Sequence, residues 1–161
     1  MQVIRAVGAA FGVALIAFAA GAQEAEEHED EVFAIGGLTV ADPWTRAAAA
    51  GADTLVFFET MNEGPADTLV AATTASAASV EIVGLTLAGG QIGTTPIGPI
   101  EIPAGEFEFD PGGLALALRG LTANLDEGAE IEITLTFAAL GDLPIHVLVG
   151  PADGAQHPHG H

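Results

Sequence analysis

Three imidazoles fall within five residues, His157-Pro158-His159-Gly160-His161, and form the chain's tightest group of nitrogen ligands. With Gly160 and the terminal carboxylate, such a segment can wrap around Cu(II), Ni(II) or Zn(II). Each imidazole must be neutral to coordinate, so affinity should fall as the pH drops below about 6.5. His28, in an acidic stretch near the other end, could supply a fourth ligand. The expected metal site is therefore His157, His159 and His161. A His-rich segment also takes up metal without any function, and the residues alone leave both readings open.

The rest of the chain offers little reactive chemistry. There is no Cys, no G-x-S-x-G and no Gly-rich phosphate loop, so an activated nucleophile beside an oriented base is not in view. His146 lies on Pro144-Ile145-His146-Val147-Leu148-Val149, where Ile145, Val147 and Val149 make the apolar face, and it reads as a structural strand histidine. Glu106 and Glu108, like Glu130 and Glu132, are i,i+2 neighbours on strands and read as solvated faces rather than acid/base pairs. No catalytic or cofactor-binding residue is expected, and an enzyme is not supported.

The elements that would carry these residues are β-strands. Thr54 to Thr60, Thr68 to Thr74, Val80 to Leu87, Ile100 to Ile102, Glu106 to Phe109 and Ile145 to Val149 are short β-rich runs. Ile131 to Phe137 alternates strictly between apolar and polar, the pattern of a half-buried strand. Asn62-Glu63-Gly64-Pro65, Pro103-Ala104-Gly105, Pro111-Gly112-Gly113 and Asp126-Glu127-Gly128 punctuate them as turns. In Gly113-Leu114-Ala115-Leu116-Ala117-Leu118, the leucines fall on one strand face and the alanines on the other, and neither face carries a ligand. Only Ala75 to Ser79 could give a single helical turn. The fold class expected is all-β, an antiparallel sandwich or barrel of seven to nine strands between Leu38 and Val149. Trp44 should contribute to the core, with one of Phe57 and Phe58 pointing in and the other out.

Composition sets the surroundings. Residues 1–22 combine Arg5, an apolar run and Ala20-Gly21-Ala22, and read as a cleavable signal peptide rather than a span, the run being shorter than the roughly 20 residues needed. Residues 23–34 read as an acidic disordered leader, 35–150 as one β-sandwich domain, and 151–161 as a flexible His-rich tail. Without Cys, neither a disulfide framework nor a lipid-bearing thiol is available. Twenty-two Asp and Glu against three Arg and no Lys give a formal net charge of −19, which excludes phosphate backbones and anionic lipid surfaces as natural partners.

Four blocks carry a resemblance. Val40-Ala41-Asp42-Pro43-Trp44-Thr45-Arg46 looks like a V-x-D-x-W-x-R opening, and Asn62 to Val70 like an N-x-G…D-x-L-V turn and strand. Ile102-Pro103-Ala104-Gly105 with Pro111-Gly112-Gly113 is similar to an I-P-A-G…P-G-G pair. Leu125-Asp126-Glu127-Gly128 with Leu135-Thr136-Phe137 is similar to an L-x-x-G…L-T-F close. Together these resemble the periplasmic copper chaperone family, often written PCu(A)C. The resemblance implies a cupredoxin-like Greek-key β-sandwich, a periplasmic location, and delivery of Cu(I) towards cytochrome oxidase assembly. Its implied partners are a copper-assembly protein or a respiratory oxidase subunit. It also implies a His after V-E-I/L, a later Met, and an H-x-M pair after P-G-G. Here those positions hold Val83, Thr94, Ala115 and Ala117, so the Cu(I) ligands are absent; a slip of one residue gives Leu116 and Leu118 instead of the alanines. Copper remains the implied metal, with the histidine tail as its candidate site. The alternative is a metal-free β-sandwich that serves as an interaction module in the cell envelope.

Overall fold

Short alternating runs bounded by Gly and Pro cannot propagate helices, and they pair as strands instead. A computed structural model describes residues 31–152, and these residues form eleven strands. They are β1 (Val32–Ile35), β2 (Leu38–Arg46), β3 (Thr54–Asn62), β4 (Asp67–Thr73), β5 (Ala77–Ala88) and β6 (Gln91–Pro96). The remainder are β7 (Ile100–Ile102), β8 (Gly105–Phe109), β9 (Leu114–Leu121), β10 (Glu130–Phe137) and β11 (Gly141–Gly150). Hydrogen bonds connect them in the order β6-β5-β9-β3-β2-β11-β10-β4-β7, with β1 added to β2 and β8 to β3. The alternating faces close on one core that takes Val40 from β2, Phe58 from β3, Leu69 from β4, Leu116 from β9, Ile133 from β10 and Val147 from β11. The fold is the expected cupredoxin-like β-sandwich.

One irregularity decides which residues face outward. Pairing between β2 and β3 slips between Ala41 and Trp44, so that Ala41 opposes Glu59 while Trp44 opposes Phe57. The extra residue sits at Asp42-Pro43, where Asp42 has a φ of 52°. A bulge reverses the in/out alternation beyond it. Val40 before the bulge points into the main core, whereas Trp44 after it packs against Phe57 on the opposite face, the rings tilted at a separation of 5.1 Å. Thr45 then points inward, fully buried, and its hydroxyl donates to the Leu55 carbonyl at 2.6 Å.

Several expectations need correction. The span from Leu38 to Gly150 holds ten strands rather than seven to nine, because Gln91–Pro96 is a strand with no sequence signature. Val32, Phe33 and Ala34, placed in the disordered leader, belong to β1, which finds its hydrogen bonds on β2 from Ala41 to Leu38. The sheet is mixed rather than wholly antiparallel, since β11 runs parallel to β2 from Leu148/Trp44 to Gly150/Arg46. Ala75 and Ser76 form a turn and not a helical one, and β5 starts at Ala77. Phe57 and Phe58 do face opposite ways, but both are buried, because the outer face around Phe57 is covered as well. No helix among the described residues is long and apolar enough to cross a membrane.

Candidate functional site

The strand Leu114–Leu121 is buried on both faces, and the second face explains its blank chemistry. Leu116 and Leu118 enter the main core, while Ala115 and Ala117 join Val83 and Phe57 in a separate apolar cluster. Val83 and Ala115 are direct cross-strand partners, and Ala117 opposes Leu55 of β3 on one side and Glu81 of β5 on the other. Val83, Ala115 and Ala117 are all 0% exposed. Trp44, Leu55 and Leu85 pack around them. Three of the four positions where the resemblance places copper ligands are therefore neighbours, and they form a small dry core.

The fourth position lies on the hairpin that closes over this face. Gly89 and Gly90, with φ of 60° and 79°, make the two-residue turn between Ala88 and Gln91, a conformation that side-chain-bearing residues adopt at a cost. Thr94 opposes Leu85 in the β5–β6 register. The Arg119 side chain nevertheless reaches it, donating from Nη2 to Thr94 Oγ1 at 3.1 Å. The hairpin must curl back over the sheet for this bond to form. Arg119 also donates from Nε to Glu81 Oε1 at 3.0 Å and lies 3.4 Å from Asp53 Oδ2. These pairs are partly solvated, so each contributes at most about 1 kcal/mol and chiefly fixes the hairpin's position. Two thioethers and two imidazoles cannot be replaced by one bonded hydroxyl and three hydrocarbon side chains, so these residues do not fit a copper ion.

The remaining polar groups are structural or solvated. His146 is exposed, lies 3.8 Å from Glu132 Oε2 on the paired strand, and meets the Phe33 ring edge-on. Among the described residues no group of three or more His, Cys, Asp or Glu side chains could hold a metal ion. His28, His157, His159 and His161 lie outside the described residues. Glu59 opposes Glu108 and Met61 opposes Glu106 where β3 pairs with β8. Desolvation, with the nearby carboxylates of Glu59, Asp110 and Glu106, pushes the Glu108 carboxyl above its ordinary value. A raised carboxyl costs stability once it ionises, and the cost is relieved as pH falls through the raised value. Glu108→Gln should therefore stabilise the protein at pH 7 by about 0.2–1 kcal/mol. The gain should shrink in high salt and vanish below about pH 4, where the unfolded carboxyl is protonated too. Urea melts at pH 7 and pH 3.5 would show it.

Asp67 is a tie rather than a ligand. Its Oδ1 accepts from the backbone N–H of Thr68 at 2.8 Å and Ala139 at 2.9 Å, and its Oδ2 from Leu140 at 2.9 Å. Asn62 closes the adjoining turn, accepting from the Gly64 N–H and donating to the Pro65 carbonyl, both at 2.9 Å. The N-x-G…D-x-L-V block is thus architectural. In sequence, Arg46 is only the last residue of the V-x-D-x-W-x-R pattern. The signal that singles it out is its charge, as one of three cations in a chain of net charge −19.

Known proteins share this architecture. The PCuAC domain of PmoF1, solved without metal, aligns with a TM-score of 0.63 at 27% identity, over 75% of this chain and 99% of its own. The copper-bound PCuAC domain of PmoF2 aligns with a TM-score of 0.62 at 22% identity, over 75% and 98%. DR1885 from Deinococcus radiodurans, in its Cu(I) form, aligns with a TM-score of 0.54 at 23% identity, over 74% and 80%. In sequence, the chain is 33% identical over 123 residues to Lxx21020 of Leifsonia xyli subsp. xyli, a protein with a lipoprotein name, covering 74% of each. The LpqE-like sequence profile matches residues 38–149, from the first residue of β2 to the penultimate residue of β11. The chain belongs to the LpqE-like family.

Proposed function

We propose that the protein is an exported, copper-chaperone-like protein of the cell envelope that captures or passes copper through His157, His159 and His161. The likeness of its sandwich to PCuAC domains solved with copper carries this reading. The sandwich acts as scaffold and docking body, and the chemistry moves to the tail because Val83, Thr94, Ala115 and Ala117 supply no ligand. The partner is a copper-assembly protein or a respiratory oxidase subunit. Relatives carry a lipoprotein name, but these 161 residues contain no Cys to bear a lipid. Release into the periplasm after cleavage of residues 1–22 fits that composition.

A second reading, a metal-free interaction module, is favoured by the sealed apolar cluster where the resemblance expects copper. Calorimetric titration of Cu(II) into the full chain and into a chain ending at Gln156 separates the two. The proposed function requires the shortened chain to lose most of the binding, and the full chain to bind far more weakly at pH 5.5 than at pH 7.5. The pH effect follows because three imidazoles must be unprotonated. Equal affinity in both chains would move the search to His146. Binding no tighter than a free three-histidine peptide would support the metal-free module.

A further inference from the structure

We propose that a cleft around Arg46 binds a singly charged organic carboxylate with a short apolar body. The cleft, of about 260 Å³, lies between the end of β2, the start of β3 and the β5–β6 hairpin. Arg46, Leu55, Phe57, Ile92 and Pro111 line it, with Asp53 on one wall. The Nε of Arg46 is shielded from water and donates to no acceptor. A guanidinium is a permanent cation whose rigid fork of donors matches a carboxylate, and a buried donor without an acceptor is uncommon. In so acidic a chain, acceptors for an arginine are abundant. Arg119 takes Glu81, Asp53 and Thr94, whereas none of the ion pairs among the described residues involves Arg46. Asp53 does not fill the role, since its Oδ1 accepts from the Gly120 N–H at 2.9 Å and its Oδ2 faces Arg119.

The rest of the cleft describes the ligand's other half. Ile92 is 47% exposed at the rim, and its cross-strand partner Leu87 at the hairpin tip is 73% exposed. Large apolar side chains left in water beside an apolar cleft mark a contact surface. A doubly charged anion such as phosphate is disfavoured by Asp53 and by the net charge of −19. A single carboxylate on a branched or aliphatic body satisfies both halves: its oxygens accept from the Arg46 guanidinium where it lines the cleft, and its hydrocarbon covers Ile92 and Leu55.

N-acetyl-leucine is a suitable probe, with N-acetyl-leucinamide as its uncharged counterpart, each titrated into the full chain and followed by ¹H–¹⁵N NMR. The acid should shift the amides of Arg46, Ala47, Leu55 and Ile92 and bind at least tenfold more tightly than the amide. Arg46→Gln should abolish that difference, and Arg46→Lys should recover only part of it because lysine lacks the fork. Ile92→Glu, an exposed change that leaves the fold intact, should also block the acid by placing a fixed carboxylate in the cleft. Equal binding of acid and amide, retention of acid binding in Arg46→Gln or Ile92→Glu, or no shift at millimolar probe would overturn the proposal.

Discussion

Replacing Asp67 with Ala is expected to cost about 3 kcal/mol of stability, more than any other single polar change in the described sandwich. Asp67 is buried, at 8% exposed, and its carboxylate accepts three backbone N–H groups. Hydrogen bonds to a charged acceptor are individually worth about 1.5–3 kcal/mol, and the substitution removes the shared acceptor of all three partly buried N–H groups. Two of those donors, Ala139 and Leu140, belong to the turn between β10 and β11, so the side chain ties that hairpin to the start of β4. Burial alone would raise the Asp67 carboxyl, but the N–H donors of Ala139, Leu140 and Thr68 outweigh it and hold the group below its ordinary value. A depressed carboxyl contributes stability that is fully present above the unfolded value and is lost as pH falls through the folded one. The wild type should therefore lose stability below about pH 4, and Asp67→Ala should flatten that acid limb. Denaturant melts from pH 2.5 to 7 check both points. A loss under 1 kcal/mol, or an unchanged acid limb, would mean that the tie is energetically idle.

Much of this architecture was legible because burial imposes a period on the sequence. Ile131 to Phe137 alternates strictly and is a half-buried strand, and the leucines and alanines of Leu114–Leu118 separate onto the two faces that the period requires. The misses share a cause. Gln91–Pro96 is mostly exposed and pairs only with β5, so no buried face writes a pattern into its residues, and its Gly and Pro argue against a strand. Val32–Ile35 follows an acidic run and is too short to show alternation above it. The bulge at Asp42-Pro43 reverses which residues point outward, and a one-residue slip is invisible to a pattern of period two. Sequence matching could name Val83, Thr94, Ala115 and Ala117, but it could not show that a hairpin without a signature folds over them. Arg46 and Asp67 likewise acquire their roles from partners, or the lack of them, brought together by the fold.

Restoring ligands to that covered face should produce the largest gain of function open to this scaffold. Val83→His, Thr94→Met, Ala115→His and Ala117→Met, made together in a chain ending at Gln156, place two imidazoles and two thioethers where the resemblance expects them. Without metal this variant should be less stable than its parent by about 3–5 kcal/mol, because polar rings enter a dry cluster and methionine is larger than alanine. Thr94→Met also removes the Arg119 anchor on the hairpin. Cu(I) should reverse the loss, since soft ligands suit it and a metal that binds only the folded state at a thousand times its Kd adds about 4 kcal/mol. Val83 and Ala115 are already cross-strand partners, and Ala117 shares their cluster, so only the hairpin must shift to deliver the fourth ligand. Thermal melts with and without buffered Cu(I), together with chelator competition, measure both halves of the expectation. A variant that folds yet competes for Cu(I) no better than its parent would show that the curled hairpin holds residue 94 too far from the other three. The metal chemistry of the sandwich would then have been lost with its backbone geometry as well as its side chains.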